Sequence, residues 1–269
     1  MNDIHISGTG IWTPPDKVSN DELVESFNKY VDLYNSEHAI EIKEGSIVAL
    51  DHSSSEFIVK ASGIKNRYVI EKDSLLNPKR MKPKIKARND DELSFTAEVS
   101  VFAAKQALKN ADLDPSDIDA VIVSAANLQR AYPAIAIEVQ NELGIDGFAY
   151  DMMVGCSAST FGINNAYCDI KSGKSSKVLV ISPEITSGHN NFKNRDGHFI
   201  FGDICTAVVI EKNSQSKNKF KILDTKLKTS FSNNIRNNYG YMNAVEDKEY
   251  TESELLFVQN GRKVFKEVM

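Results

Sequence analysis

The stretch IDAVIVSAA, Ile118 to Ala126, constrains the fold of this chain most. Ala120 to Val123 are continuously apolar and mostly β-branched, the pattern of a strand buried on both faces. Such a strand needs helices above and below it, and the flanking sequence supplies candidates. Before it, SFTAEVSVFAAKQALKNADL places Phe95, Val99, Phe102, Ala103 and Leu108 on one helical face. After it, Pro133 opens PAIAIEVQNELG as the expected first helical residue, and Gly144 is the expected C-cap. GFAYDMMV then reads as a strand, a helix follows to about Ser172 with Gly173 beyond it, and KVLVIS reads as another buried strand. TAVVIEK and FKILDTKLKTS come next with no helix between them. This order predicts an α/β protein with a mixed five-stranded sheet covered by helices on both faces.

The ends of the chain are less regular. DIHISGTGIW reads as a first strand ending in glycines, and VSNDELVESF as a helix in which Ser19 and Glu22 have capping-box spacing. From Val31 to Arg88 periodicity is poor and charge is high, which predicts long loops and short helices. SELLFVQNGRKVFKEVM spaces Leu256, Val258, Val264, Phe265 and Val268 as an amphipathic helix without a closing cap. Such a face needs a surface to pack on, so these residues are expected to be the front of something longer.

Composition removes several function classes. Three cysteines, Cys156, Cys168 and Cys205, cannot all pair and lack CxxC spacing, so neither a disulfide framework nor a zinc site is expected. A net charge of -5 argues against bulk nucleic-acid binding, although Lys72 to Arg88 is a basic run. That run is expected to be a solvated loop, with attraction of an acidic partner as the alternative. No apolar run approaches the roughly 20 residues of a membrane span. The start, MNDIHISG, is unlike a secretory signal, which predicts a cytoplasmic location.

Cys156, in YDMMVGCSASTFGIN, is the candidate functional atom. Free cysteine is commonly core filler. Here, however, a fully buried parallel strand is expected to end near Val154, Gly155 permits a sharp turn, and the thiol arrives at or near the first turn of the next helix. Free N–H groups and the positive end of the helix dipole favour an anionic nucleophile there. Ser157, Ala158 and Ser159 leave room for a bulky acyl group. Cys168, further along the same helix, and Cys205, in FGDICTAVVIE, read as packing residues. His5, His38 and His52 read as surface or loop residues. His189 follows a buried strand in a loop and His198 sits in RDGHFIFGD, where a histidine is more often a surface residue or a local hydrogen-bonding group than a catalytic one.

The sequence resembles 3-oxoacyl-(acyl-carrier-protein) synthase III, a thiolase-fold condensing enzyme, almost from end to end. The resemblance is carried by ISGTGIWTPP, SSEFIVKASGIKNRYV, NLQRAYPAIAIEVQNELGI, DMMVGCSASTFGI, RDGHFIFGD and GRKVFKEV. NLQRAYPAIA and FSNNIRNNYG look most like the subgroup that starts from medium-chain acyl-CoA, the β-ketodecanoyl synthase-like enzymes. The resemblance implies a thiolase fold, layered α-β-α-β-α when complete. Residues 1–212 would form its first half, with loop insertions at about 31–90, and 213–269 would begin the second half.

It also implies roles for particular residues. Cys156 matches the nucleophile that takes an acyl group from acyl-CoA. Arg195 matches an arginine that helps hold the CoA nucleotide. Phe57 stands where the family has a tryptophan stacked on adenine, and Ala61 replaces the arginine on its other side, so CoA is expected to sit differently or bind more weakly. Tyr132 matches an aromatic that reaches across a homodimer interface to the partner's acyl pocket, with an ordinary core aromatic as the alternative. The implied reaction condenses the acyl group with malonyl-acyl-carrier-protein, releasing carbon dioxide, and needs no cofactor beyond the CoA thioester substrate. The family's histidine and asparagine for decarboxylation have no match in this sequence. Other thiolase-fold acyltransferases, such as 3-hydroxy-3-methylglutaryl-CoA synthase or an acyl-CoA:thiol transferase, and a non-catalytic dimerisation module are the rival readings.

Overall fold

The expected alternation of strands and helices runs through the middle of the protein, whose computed structural model describes residues 3–268. In chain order the elements are β1 (Ile4–Trp12), β2 (Asp16–Ser19), α1 (Asn20–Glu37), α2 (Ala39–Lys43), α3 (Ser55–Ser62), β3 (Asn66–Val69), α4 (Phe95–Ala111), β4 (Ala120–Ala125) and α5 (Ile135–Leu143). They continue with β5 (Phe148–Met153), α6 (Ala158–Ser172), β6 (Lys177–Ile185), β7 (Asp203–Lys212), β8 (Phe220–Lys221), β9 (Ile235–Asn237), α7 (Glu252–Leu255), β10 (Phe257–Gln259) and α8 (Gly261–Val268). The chain separates into two units. The first holds residues to Thr13, Lys86–Ile185 and Ile204–Lys228; the second holds Pro14–Ile85, Thr186–Asp203 and the chain from Thr229.

The first unit is built on a sheet of order β5-β4-β6-β7-β1-β8. β4 runs parallel to β5 and β6, as expected where crossover helices α5 and α6 connect successive strands. β1 is antiparallel to β7 and β8. The five expected strands thus gain a sixth of only two residues. In FKILDTKLKTS only Phe220 and Lys221 register with β1; Ile222 adds one N–H bond to the Ile4 carbonyl at 2.9 Å and packs beside Ile4 and Ile210, and Leu223 beyond it is 83% exposed. Alternate residues face opposite sides of the sheet. Val121, Val123, Leu179, Ile181, Ala207 and Val209 pack with α4 and α5, whereas Ala120, Ile122, Val178, Val180 and Ile210 pack with Ala166 and Ile170 of α6.

Two helices differ in detail from expectation. Phe102 is exposed on α4, while Val99, Ala103 and Leu108 are buried. The reason is the closeness of α4 to β1: a Cβ on Gly10 would lie 1.9 Å from the Ala103 carbonyl oxygen, and one on Gly8 would lie 2.2 Å from that of Ala107. Only small residues fit that seam, so Ala103, Ala104, Ala107 and Ala111 line it and the phenylalanine turns outward. Helix α5 starts at Ile135 rather than Pro133, which follows a cis Tyr132–Pro133 bond. Its first N–H groups, from Ile135 and Ala136, donate to the Asp151 carboxylate of β5 at 2.8 Å each, a cap supplied from another element. Gly144 takes the left-handed C-cap conformation, as expected.

In the second unit β2 and β3 pair antiparallel. The capping box opens α1 as expected: Glu22 N–H donates to Ser19 Oγ at 3.3 Å, and Ser19 N–H donates to Glu22 Oε2 at 2.9 Å. Lys72 pairs with Glu22 at 2.5 Å and, with those bonds, holds its carboxyl down at about 2. The apolar core contains Leu23, Phe27, Val31, Ile58, Phe192 and Phe199. The single amphipathic helix expected at the end is instead broken. Phe257–Gln259 forms a strand with β9, because Phe257 N–H donates to the His189 carbonyl at 3.0 Å and Asn260 N–H to that of Asn234 at 2.8 Å. The burial of Phe265 and Val268, two members of the expected face, lies outside the described residues. No helix among the described residues is long and apolar enough to cross a membrane.

Candidate active site

In the first unit the chain leaves β5 beside the end of β4, where Val154 N–H donates to the Ala125 carbonyl at 3.4 Å. Gly155 follows with φ +61°, a conformation that costs other residues free energy, and turns the backbone from strand to helix. A short 3-10 turn, Gly155–Ser157, carries Cys156 into α6. Helix α6 is clamped to the sheet by Ala158, Gly162, Ala166 and Ile170, spaced four apart. At its mouth Ser124 Oγ donates to the Ala158 carbonyl at 2.5 Å. Cys156 itself is exposed. The result is an accessible thiol at the carboxyl end of a parallel strand and the start of a helix, among N–H groups with no intrahelical acceptor.

The strand before it departs from expectation, for β5 is half-buried rather than fully buried, since it forms the edge of the sheet. Cys168 is also exposed rather than packed: two residues beyond Ala166, it points away from the buried stripe of α6. Cys205 is core, as expected, and burial pushes its thiol up to about 12.

In the second unit the structure brings Phe57 and Arg195 together. Ser54 caps α3 by accepting the Phe57 N–H at 3.1 Å, which fixes the phenylalanine in the first turn. The Arg195 guanidinium lies 4.2 Å over the Phe57 ring, and its Nε donates to the His52 carbonyl at 2.7 Å. Phe57 meets Phe199 edge-on at 5.8 Å. Phe57 and Phe199 line a cavity of roughly 630 Å³ together with Ala61, Asn190, Phe257, Gln259 and Arg262. Tyr132, in the first unit, is 85% exposed, so the core-aromatic alternative fails.

Residues 150–230 match the family 3-oxoacyl-[acyl-carrier-protein (ACP)] synthase III. The β-ketodecanoyl-[acyl-carrier-protein] synthase of Pseudomonas aeruginosa is 52% identical over 247 residues, which cover 91% of this chain and 71% of that protein. The chain belongs to the synthase III family. A β-ketoacyl-[acyl-carrier-protein] synthase III from Brucella anthropi is 33% identical over 171 residues, covering 63% of this chain and 47% of that protein. The chain therefore spans about half the length of that relative. The crystal structure of the Aquifex aeolicus 3-oxoacyl-[acyl-carrier-protein] synthase III matches with a TM-score of 0.65 at 25% identity, over 99% of this chain and 67% of that one. The Pseudomonas aeruginosa synthase III structure matches in fold with a TM-score of 0.69 at 18% identity, over 98% of this chain and 66% of that one.

Within this synthase III chain the histidines are less exposed than their loop contexts predict. His5 is buried because β1 lies between β7 and β8. His198 is fully buried, stacked on Phe27 at 4.6 Å with Nδ1 2.8 Å from the Arg195 carbonyl. Burial lowers both His189 and His198 to about 4, so both are neutral at pH 7. His52 is exposed and sits 2.8 Å from Asp32.

Sequence reasoning missed the buried polar groups around these places. Asp203 and Glu184 interrupt otherwise apolar strand sequences, which was the available signal; Asn190 and Gln259 gave none. Glu184, on β6, accepts the Ala126 N–H at 2.8 Å, and burial pushes its carboxyl up to about 7. Below about pH 4.5 this carboxyl is protonated in the folded and unfolded chain alike. Between 4.5 and 7 the folded chain keeps a proton that the unfolded chain has lost, so stability falls as pH rises, by about 2 kcal/mol after allowance for partial solvent access. Above 7 the penalty is constant. His189 and His198 act in the opposite sense between about 4 and 6.5, so the comparison is with a variant. Glu184→Gln should melt above wild type at pH 8 and converge with it near pH 4.5. Parallel melting curves across that range would mean that the carboxylate is solvated in the folded protein.

Proposed function

We propose that this synthase III chain takes an acyl group from acyl-CoA onto Cys156 and that the acyl-enzyme condenses with malonyl-acyl-carrier-protein in fatty acid biosynthesis. The observation that carries the reading is the accessible Cys156 thiol at the junction of β5 and α6, in a chain of this family. The Cys156 sulfur attacks the thioester carbonyl, the tetrahedral intermediate collapses, and CoA leaves as a thiolate that takes up a proton. The malonyl group then loses carbon dioxide. The resulting carbanion equivalent attacks the acyl carbonyl, forms the new carbon–carbon bond and expels the Cys156 thiolate, giving 3-oxoacyl-acyl-carrier-protein.

A β-ketodecanoyl product, named for the Pseudomonas aeruginosa relative, contains the two carbons malonyl contributes and eight from the donor. Octanoyl-CoA is therefore the donor chosen for this chain. The cavity beside Phe57 and Arg195 is assigned to the CoA end of the donor. A homodimer is supported by the outer edge of β5, which no strand of this chain pairs with among the described residues. Exposed Met153 and Tyr132 belong to the same unit. A second copy of β5 would pair that edge. The cytoplasm, where acyl-CoA and carrier protein meet, is the assigned location.

Intact-protein mass spectrometry after mixing with octanoyl-CoA tests the reading. Wild type should gain one octanoyl group and Cys156→Ala none. A folded wild-type protein that gains no mass would overturn the assignment of Cys156, and acylation without carbon dioxide release from malonyl-carrier-protein would favour another acyl transfer.

A further inference from the structure

The end of β4 carries the turn that holds Cys156. On one side, the Ala125 carbonyl accepts the Val154 N–H at 3.4 Å and Ser124 Oγ donates to the Ala158 carbonyl at 2.5 Å. The turn Gly155–Ser157 is thus tied to β4 both before and after the thiol. On the other side the backbone pairing stops early. β4 and β6 are in register from Ala120 and Val178 to Val123 and Ile181, and Pro183, two residues on, contributes no N–H. There the Glu184 carboxylate takes over and accepts the Ala126 N–H at 2.8 Å. That N–H and the Ala125 carbonyl belong to one peptide unit. A charged acceptor on the N–H polarises the unit and strengthens the bond its carbonyl makes to Val154, two residues before the nucleophile.

The same carboxylate weakens the fold. Burial outweighs its bond from Ala126 and pushes the group up to about 7, so its ionised form opposes folding. A glutamine of the same shape would accept the Ala126 N–H through a neutral oxygen. A group that costs stability, has a neutral isostere and touches the peptide supporting the nucleophile's turn points to function. We infer that Glu184 is a positioning residue for acyl transfer: its carboxylate fixes the Ala125–Ala126 peptide and thereby aims the Cys156 sulfur at the thioester carbonyl. This deepens the acyl-transfer reading and rests on it. The surrounding elements set no cation against the carboxylate. β4 has no charged residue, and the side chains that α4 and α6 bury are uncharged. The titratable groups at this end of β7 are Cys205, kept protonated by burial, and Asp203, engaged with Ser187 and Ile70.

Quenched-flow mass spectrometry of the full chain with octanoyl-CoA measures acylation of Cys156 in wild type, Glu184→Gln and Glu184→Asp. At pH 8 Glu184→Gln should melt above wild type yet acylate about five- to tenfold more slowly, the scale of one weakened hydrogen bond to a charged group. A residue that only supports the fold would move both quantities the same way. Near pH 5.5 the wild-type carboxyl is protonated, so the two rates should agree within about twofold. Glu184→Asp keeps the charge but is one methylene short of Ala126. It should be as slow as Glu184→Gln without the gain in melting temperature. Alkylation of Cys156 by iodoacetamide needs an ionised thiol but no alignment with a bound thioester. It should be no slower in Glu184→Gln, because removing a carboxylate does not disfavour a thiolate. Glutamine acylating as fast as wild type at pH 8, losing stability together with rate, or alkylating as slowly as it acylates would each overturn the inference and leave the acyl-transfer reading standing. A wild type that takes up no octanoyl group would sink that reading with it.

Discussion

Gly10→Ala should leave little folded protein at 37 °C, with an expected loss above about 3 kcal/mol. The new methyl would sit 1.9 Å from the Ala103 carbonyl oxygen and 2.7 Å from the Ala107 nitrogen. Both atoms belong to the backbone of α4, so no side-chain rotation relieves the clash. The helix as a whole would have to retreat by more than 1 Å, on the order of what ordinary van der Waals contact requires. That movement would open a gap along Ala103, Ala104, Ala107 and Val209, the centre of the larger core cluster, and lose dispersion contacts there. Gly188→Ala is the matched control, because no atom lies within 4 Å of its added Cβ and its φ is not in the left-handed region. Urea unfolding of the two variants should differ by several kcal/mol; similar midpoints would show that α4 yields cheaply.

That seam explains which parts of the fold were legible in the sequence. Features set within a few residues are readable: the Ser19–Glu22 capping box, the left-handed Gly144 and Gly173, and the strand at Ala120–Ala125 all occur where local chemistry places them. Features set by distance between elements are not. Phe102 fits the helical period of an apolar face, but the approach of β1 excludes a ring. Cys168 looks like core filler until α6 is seen to bury only its four-residue stripe. The cap of α5 comes from Asp151, which no local cap motif at Ala134 announces.

The candidate site divides in the same way. Gly155 and the small residues after it mark the exposed thiol from sequence alone. The contact of Phe57 with Arg195 joins residues far apart in the chain, and only the resemblance to synthase III suggested that they share a place. Asn190 and Gln259 could not be paired by any spacing rule, because the cavity exists only once β10 lies beside the 186–190 turn, through the Phe257 to His189 hydrogen bond.

That turn is held by Asp203, and Asp203→Ala should cost about 3 to 5 kcal/mol. The side chain is 2% exposed. Its Oδ1 accepts the Ser187 N–H at 2.7 Å, and its Oδ2 accepts Ser187 Oγ at 2.6 Å and the Ile70 N–H at 2.8 Å. Alanine would orphan the buried Ser187 N–H and hydroxyl and the half-buried Ile70 N–H, and detach the turn carrying His189 and Asn190 from the end of β3. Asparagine keeps the shape but must turn its NH2 toward either the Ser187 or the Ile70 N–H. It should cost about 2 kcal/mol, because one donor then faces another. Burial already raises the Asp203 carboxyl despite these donors, so the native group carries a desolvation cost that its hydrogen bonds must offset. Chemical denaturation should therefore rank wild type above Asn above Ala, with hydrogen exchange at Ser187 and Ile70 accelerated in the same order. If alanine proved no worse than asparagine, the turn would be held by packing, and the Thr186 hydroxyl bond to the Gly202 carbonyl would be its remaining polar anchor.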